Sequence, residues 1–149
     1  MRLAPLVAGA FLAVAACASA PKAPVFLAAP AGPARPFSPA VRANGFLFLA
    51  GQLGTDSTGR LVPGGVRAET RQVMENIRSV LQRAGSSLDR VVKCTVFLAD
   101  MNEWGAMNEV YTTFFAPGRF PARTAAGASG LALNGRVEIE CIALDGTSP

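Results

Sequence analysis

The chain has 149 residues, 50% of them hydrophobic and 16% charged, which is the composition of one folded domain and excludes a disordered or multidomain chain. Its formal charge of +4 comes from 14 Lys and Arg against 10 Asp and Glu without a long basic run, so the clustered cationic stripe of a nucleic-acid binder is missing and no nucleic-acid partner is expected. It contains no histidine, which removes His-dependent triads and most zinc or iron sites, and no metal site is expected.

Met1-Arg2 is followed by an uncharged apolar run over residues 3–16. A spanning helix needs about 20 residues, so this run is too short and fits the h-region of a secretory signal. Val14-Ala15-Ala16-Cys17 is similar to a bacterial lipobox, in which the cysteine is lipidated and becomes the mature N-terminus. The rival cut after Ala20 would place Pro21 directly behind the scissile bond, a poor substrate. Residues 1–16 are therefore expected to be a lipoprotein-type signal peptide and Cys17 the lipidation site. The protein is expected on the exported side of a bacterial membrane, held by its lipid anchor, and at the outer membrane of a Gram-negative host because Ala18 follows. Soluble export is the alternative. Residues 17–35 are rich in Ala and Pro and read as an extended tether, with Val25-Phe26-Leu27 too short to make an element. The folded domain is assigned to residues 36–149.

Within it, Asn44-Gly45 between two strand-like segments predicts a hairpin, because a type I′ turn needs φ > 0 twice. Phe46-Leu47-Phe48-Leu49 is apolar on both faces and predicts a strand covered on both sides. Val66, Val73, Ile77, Val80, Leu81 and Ala84 fall at helical spacing, and Gly85 supplies a stop. Residues 88–99 read as a strand that places Lys93, Thr95 and Phe97 on one side and Cys94, Val96 and Leu98 on the other. Asp100 and Glu103 have the spacing of a capping box before a second helix, whose stripe of Trp104, Met107, Tyr111, Phe114 and Phe115 reads as core. A short strand at residues 122–128, an Asn134-Gly135 turn and a strand with period-2 alternation at residues 136–144 complete the pattern. Two helices on one side of a mixed sheet make the fold class α+β. Cys94 and Cys141 read as buried free thiols, with a disulfide in an oxidising compartment as the alternative. Ile142 and Leu144 share a side with Glu138 and Glu140, so the face away from the helices carries apolar surface that calls for another subunit.

Seven segments resemble, in order, the RidA (YjgF-type) family of reactive-intermediate imine deaminases. They are Pro36-Phe37-Ser38-Pro39-Ala40-Val41, Leu49-Ala50-Gly51-Gln52, Asn76-Ile77, residues 92–101, residues 107–111, Phe120-Pro121-Ala122-Arg123-Thr124 and residues 137–143. The resemblance implies a chorismate-mutase-like sheet with two helices on one face and a homotrimer whose three sheets form a central barrel. It also implies pockets at the subunit interfaces that hydrolyse small 2-imino acids to 2-oxo acids and ammonia without metal or organic cofactor. Carried over position by position, it places the carboxylate-binding arginine at Arg123 and the acidic catalytic residue at Glu138. Asn108, Tyr111, Gly51 and Gln52 take the further pocket positions. Phe37 stands where the family has a tyrosine, Ala50 where it has a small hydroxyl residue, and Ala125 where it has a cysteine.

The residue types suit that chemistry. A planar guanidinium forks onto a carboxylate through two charge-assisted hydrogen bonds, and a carboxylate can take a proton from water and return it to nitrogen. Blander roles stand beside these: Arg123 paired with Glu138 or Glu140 across an interface, Gln52 satisfying its own loop, Asn108 and Tyr111 packing. A trimeric lipoprotein that binds small carboxylates or a protein partner without turnover is the alternative function.

Overall fold

A computed structural model describes residues 23–29 and 35–146. Seven strands form one mixed sheet in the described residues: β1 Val25–Phe26, β2 Ala40–Ala43, β3 Phe46–Leu49, β4 Gln52–Leu53, β5 Val91–Leu98, β6 Ala122–Gly127 and β7 Val137–Leu144. Their order is β1-β2-β3-β7-β5-β6, with β4 paired to the first half of β7. Two helices, α1 Gly65–Arg83 and α2 Trp104–Tyr111, pack against one face. The α+β architecture expected from the pattern is the one found.

The β2–β3 hairpin turns at Asn44 (φ 48°) and Gly45 (φ 81°), the two left-handed positions that Asn-Gly tolerates. In β3 the alternation is complete: Leu47 and Leu49 are buried, whereas Phe46 and Phe48 lie open on the far face. Covering on both sides is therefore absent among the described residues. Helix α1 buries Val66, Val73, Ile77, Val80 and Leu81, and it stops where Gly85 turns left-handed and the Ser86 N–H donates to the carbonyl of Leu81 at 2.8 Å. The core is this stripe with Cys94, Val96, Leu98, Met107, Tyr111, Val137, Ile139 and Cys141.

Several expectations need correction. Val25 and Phe26, assigned to the tether, pair with Arg42 and Val41 as an edge strand, and the N–H of Leu27 donates to the carbonyl of Ala40 at 3.0 Å. The strand expected from residue 88 begins at Val91, because Leu88–Arg90 form a 3₁₀ turn. Asp100 does cap, accepting from the N–H of Asn102 at 2.9 Å, but Glu103 turns away to grip the guanidinium of Arg136, so no reciprocal box forms. The second left-handed turn falls one residue early, at Leu133 (φ 59°) and Asn134 (φ 58°). Cys17 and the leader lie outside the described residues.

Cys94 and Cys141 face each other across β5 and β7 and form a disulfide, contrary to the free thiols expected. Both are buried. The bond closes a loop with a sequence separation of 47, and chain entropy alone makes such a crosslink worth about 2–4 kcal/mol. The Cys94→Ala/Cys141→Ala double variant is accordingly expected to lose about that much in urea denaturation. Alkylation of the denatured but unreduced wild type should label neither cysteine.

Polar groups on α1 fix the strands that carry the candidate site. The Glu69 carboxylate is buried and accepts from the backbone N–H of Arg136 at 2.8 Å, at the entry to β7. Two turns further on, the Asn76 amide donates to the carbonyls of Leu53 and Thr55, at 3.0 Å each. Gly54 lies so close to the Glu69 backbone that a Cβ would collide with it. The helix thus holds β4 and the start of β7 at one fixed spacing.

Candidate functional site

Register decides which face each expected residue occupies, because paired residues on neighbouring strands point to the same side. Cys94, Val96 and Leu98 are buried toward the helices. Arg123 pairs with Cys94 and Ala125 with Val96, so both project to the helix side. Glu138 pairs with Phe97 and Glu140 with Thr95, so both carboxylates project to the open side. Within one chain Arg123 and Glu138 therefore lie on opposite faces of the sheet and do not meet.

The expected residues divide into two half-sites. On the helix side, the Arg123 guanidinium carbon sits 4.8 Å from the ring centroid of Tyr111 and 5.9 Å from that of Trp104. Both distances are within cation–π range. No hydrogen bond or ion pair joins Arg123 to another side chain among the described residues. Asn108 lies between the two aromatic residues on α2, and Trp104, Asn108 and Tyr111, spaced i, i+4, i+7, share one helical face. The Asn108 Oδ1 and the Tyr111 hydroxyl are buried without a hydrogen-bond partner among the described residues, an arrangement that calls for a partner from outside. Ala125 flanks them and packs on the core.

Tyr111 is 2% exposed. Burial pushes its phenol up to about 12, with the Arg123 cation pulling the other way. It is the chain's sole tyrosine, so an alkaline spectrophotometric titration reads it alone. The folded protein is expected to show a phenolate midpoint near 12, and the urea-unfolded chain one near the ordinary ~10. The sign follows: the folded state keeps a proton that the unfolded chain loses. This contribution to stability is present below pH ~10 and is lost as pH rises toward the folded value.

The second half-site is on the open side, around Gly51. A Cβ at Gly51 would overlap the Glu138 Oε1, so only glycine lets the carboxylate lie against this backbone. The Ala50 N–H donates to the carbonyl of Pro39 at 3.0 Å, which brings the segment carrying Phe37 alongside. Phe37 is exposed, with the Arg35 guanidinium 5.9 Å from its ring centroid. Gln52 turns back on its loop and donates to the carbonyl of Ala50 at 3.0 Å, the blander of the two roles foreseen for it. Neither Glu138 nor Glu140 makes an ion pair with Arg123 within the chain.

Around the second half-site the open face is apolar. Phe46, Phe48 and Leu144 stand exposed, the first two with ring centroids 6.4 Å apart. A depression of about 130 Å³ lies between Phe48, Lys93, Thr95 and Glu140. An exposed apolar patch of this kind, ringed by Lys93 and two carboxylates, has the make-up of a subunit interface.

Trp104 was assigned to the core, yet it is 44% exposed beside Arg123. Its position at the first turn of α2, ahead of the buried Met107, was the available signal that it sits at the rim. Glu69, three residues after Val66 and four before Val73, lies on the buried stripe of α1, a spacing signal that the apolar positions alone do not report.

Residues 27–145 match the family model described as Endoribonuclease L-PSP. The chain is 46% identical over 112 residues to the 2-iminobutanoate/2-iminopropanoate deaminase of Mus musculus, covering 74% of this chain and 82% of that protein. Among solved structures it is similar to RidA from the Antarctic bacterium Psychrobacter sp. PAMC 21119. That likeness has a TM-score of 0.71 and 36% identity, over 76% of this chain and 91% of that one. It is also similar to E. coli TdcF with bound serine, with a TM-score of 0.70 and 31% identity over the same shares, 76% and 91%.

Proposed function

We propose a function from one premise: the chain belongs to the Endoribonuclease L-PSP family, the RidA/YjgF family. The reading is a cofactor-independent deaminase that hydrolyses small 2-imino acids to 2-oxo acids and ammonia. The observation that carries it is Arg123, a cation that no carboxylate side chain of the described chain pairs with and that is seated against two aromatic rings. A guanidinium left free in this way suits a substrate carboxylate. A relative whose structure holds serine, itself a small carboxylate, supports the same reading.

In this mechanism the fork of Arg123 takes the carboxylate and fixes the imine carbon. Water adds to the carbon of the protonated imine as Glu138 accepts one of its protons, giving a neutral carbinolamine. Glu138 returns that proton to nitrogen, the C–N bond breaks as the hydroxyl proton passes back to Glu138, ammonia leaves and the carbonyl forms. The nucleophile is water and the products are a 2-oxo acid and ammonia, so the balance needs no redox partner. Positioning supplies much of the acceleration, because imines already hydrolyse in water.

Because Arg123 and Glu138 occupy opposite faces of one sheet, the site is completed by a second copy of the chain. The apolar open face supports a closed homotrimer in which the three sheets cover one another's Phe46, Phe48 and Leu144. Sequence and disulfide together support export. The lipobox-like Val14-Ala15-Ala16-Cys17 directs lipidation at Cys17, and a buried Cys94–Cys141 bond persists in an oxidising compartment. Labelled palmitate is then incorporated by the wild type and not by Cys17→Ser.

The decisive experiment is release of ammonia and pyruvate from enzymatically generated 2-iminopropanoate, above the rate in buffer. Binding of 2-oxo acids without acceleration would instead favour a carboxylate-binding lipoprotein.

A further inference from the structure

Register fixes the end of the sheet at which the chain enters. β1 runs antiparallel to β2, with Val25 opposite Arg42 and Phe26 opposite Val41, so it starts at the end that carries the Asn44-Gly45 turn. The same end holds the 3₁₀ turn Leu88–Arg90 that leads into β5, and the exit of β7, where Leu144 pairs with Phe46. These parts are bonded to one another. The Asp145 N–H donates to the carbonyl of Gly45 at 2.8 Å, the Ser86 hydroxyl donates to the carbonyl of Leu144 at 2.8 Å, and Arg42 forms an ion pair with Asp145 at 2.9 Å. Glu138, with Gly51 against it, belongs to the other end: it precedes Leu144 on β7 by a stretch of about 20 Å at ~3.3 Å per residue.

β1 also shortens the connection to the anchor. If residues 17–35 were tether throughout, the domain would swing freely. With Val25 and Phe26 held in the sheet, the free chain from Cys17 to Ala23, the first described residue, spans at most about 22 Å. A folded domain of this size is about 30–35 Å across, so it cannot invert on so short a link. In a closed trimer the three anchors are equivalent, and three equal short links set the threefold axis along the bilayer normal.

We propose that the end of the sheet carrying the Asn44-Gly45 and Leu88–Arg90 turns is a bilayer-facing surface, seated on the lipid headgroups around the anchor, and that the Gly51–Glu138 end faces away into the aqueous compartment. The proposal rests on acylation of Cys17 and on the homotrimer. Charge at the seated end is mixed: Asp89 is exposed, and Arg90 donates to the carbonyl of Asp145 at 2.8 Å beside the Arg42–Asp145 pair. Such a surface suits contact with headgroups and opposes insertion among acyl chains. Substrate then reaches the site from water, the route open to a small charged imino acid.

The test uses the acylated protein in vesicles of phosphatidylethanolamine and phosphatidylglycerol, a fraction of them bearing a nitroxide on the headgroup. A dye is placed on Asp89→Cys or on Ser129→Cys, both exposed positions. Ser129 marks the far end, since the neighbouring Ala128 N–H donates to the carbonyl of Leu98 at 2.8 Å. With Cys17 acylated and Cys94 bonded to Cys141, the introduced thiol is the one that reacts. Quenching at position 89 should exceed that at position 129 at least about threefold, because the nitroxide acts over less than the ~20 Å between the two ends. Insertion of about twenty Gly and Ser residues after Lys22 should erase the difference, because the longer link frees the domain. Equal quenching, or stronger quenching at 129, in a chain that incorporates palmitate overturns the proposal and leaves the anchor intact. A difference that survives the insertion also overturns it, since something other than the short link then sets the orientation. If palmitate does not enter and neither dye is quenched, the anchor falls and the orientation with it, while ammonia release still decides the deaminase reading on its own.

Discussion

Arg123→Ala is expected to lower kcat/KM for 2-iminopropanoate by about 10²- to 10⁴-fold, most of it through KM. Two charge-assisted hydrogen bonds to a carboxylate contribute about 1.5–3 kcal/mol each, and ~1.4 kcal/mol is one factor of ten. Lys93, on the neighbouring strand β5, cannot take over: it points to the opposite side and donates to the Thr124 hydroxyl at 3.1 Å. Arg123→Lys should recover only part of the loss, since an ammonium keeps the charge and forfeits the planar fork. Folding should be almost untouched in both, because Arg123 contributes only ring stacking with Tyr111 and Trp104. Steady-state kinetics beside thermal melts checks both halves of this expectation. A wild-type KM in Arg123→Ala would remove the carboxylate from this half-site.

Glu138→Gln is the second large effect. Loss of the proton acceptor should reduce kcat about 10²-fold or more while pyruvate still binds, within the span typical of general acid–base groups. Gly51→Ala should imitate it in part, because the added methyl displaces the carboxylate from its seat without touching its chemistry. The two variants also report on assembly. If one site takes Arg123 from one protomer and Glu138 from its neighbour, inactive Arg123→Ala and Glu138→Gln proteins unfolded and refolded together should regain activity. In a closed trimer each mixed assembly rebuilds one of its three sites, so random mixing restores about a quarter of wild-type turnover. No recovery, in trimers proven to be mixed, would place both groups of a site on one chain and contradict the face assignment read from the strand register.

That face assignment is also what the bare sequence could not supply. Local rules served well wherever a residue's role depends on its immediate neighbours. Asn44-Gly45 turned as two left-handed residues must, the Val66-to-Leu81 stripe became α1, and the alternation of Val137, Ile139, Cys141 and Ala143 became the buried side of β7. The failures that bear on the site were mostly non-local. Cys94 and Cys141 meet because β5 and β7 are in a register that no spacing rule specifies. Whether Arg123 and Glu138 face together turns on pairings with Cys94 and Phe97, three residues apart and hence of opposite parity. The two-residue strand at Val25 and Phe26 is too short for any period and exists only because β2 has a free edge. Trp104 looked like core because helical spacing does not distinguish the last buried position from the first exposed one. The candidate residues themselves were readable as a set; their division into two half-sites was not.

The place of β7 in the sheet has a further consequence. It follows every other strand among the described residues, yet it lies in the middle of the sheet, bonded to β3 and β4 on one side and β5 on the other. Until it is made, the nascent polypeptide is two half-sheets with no keystone between them, and the pairing that joins them is long-range and slow to form. Closure of the sheet therefore waits on the last of its strands to be added.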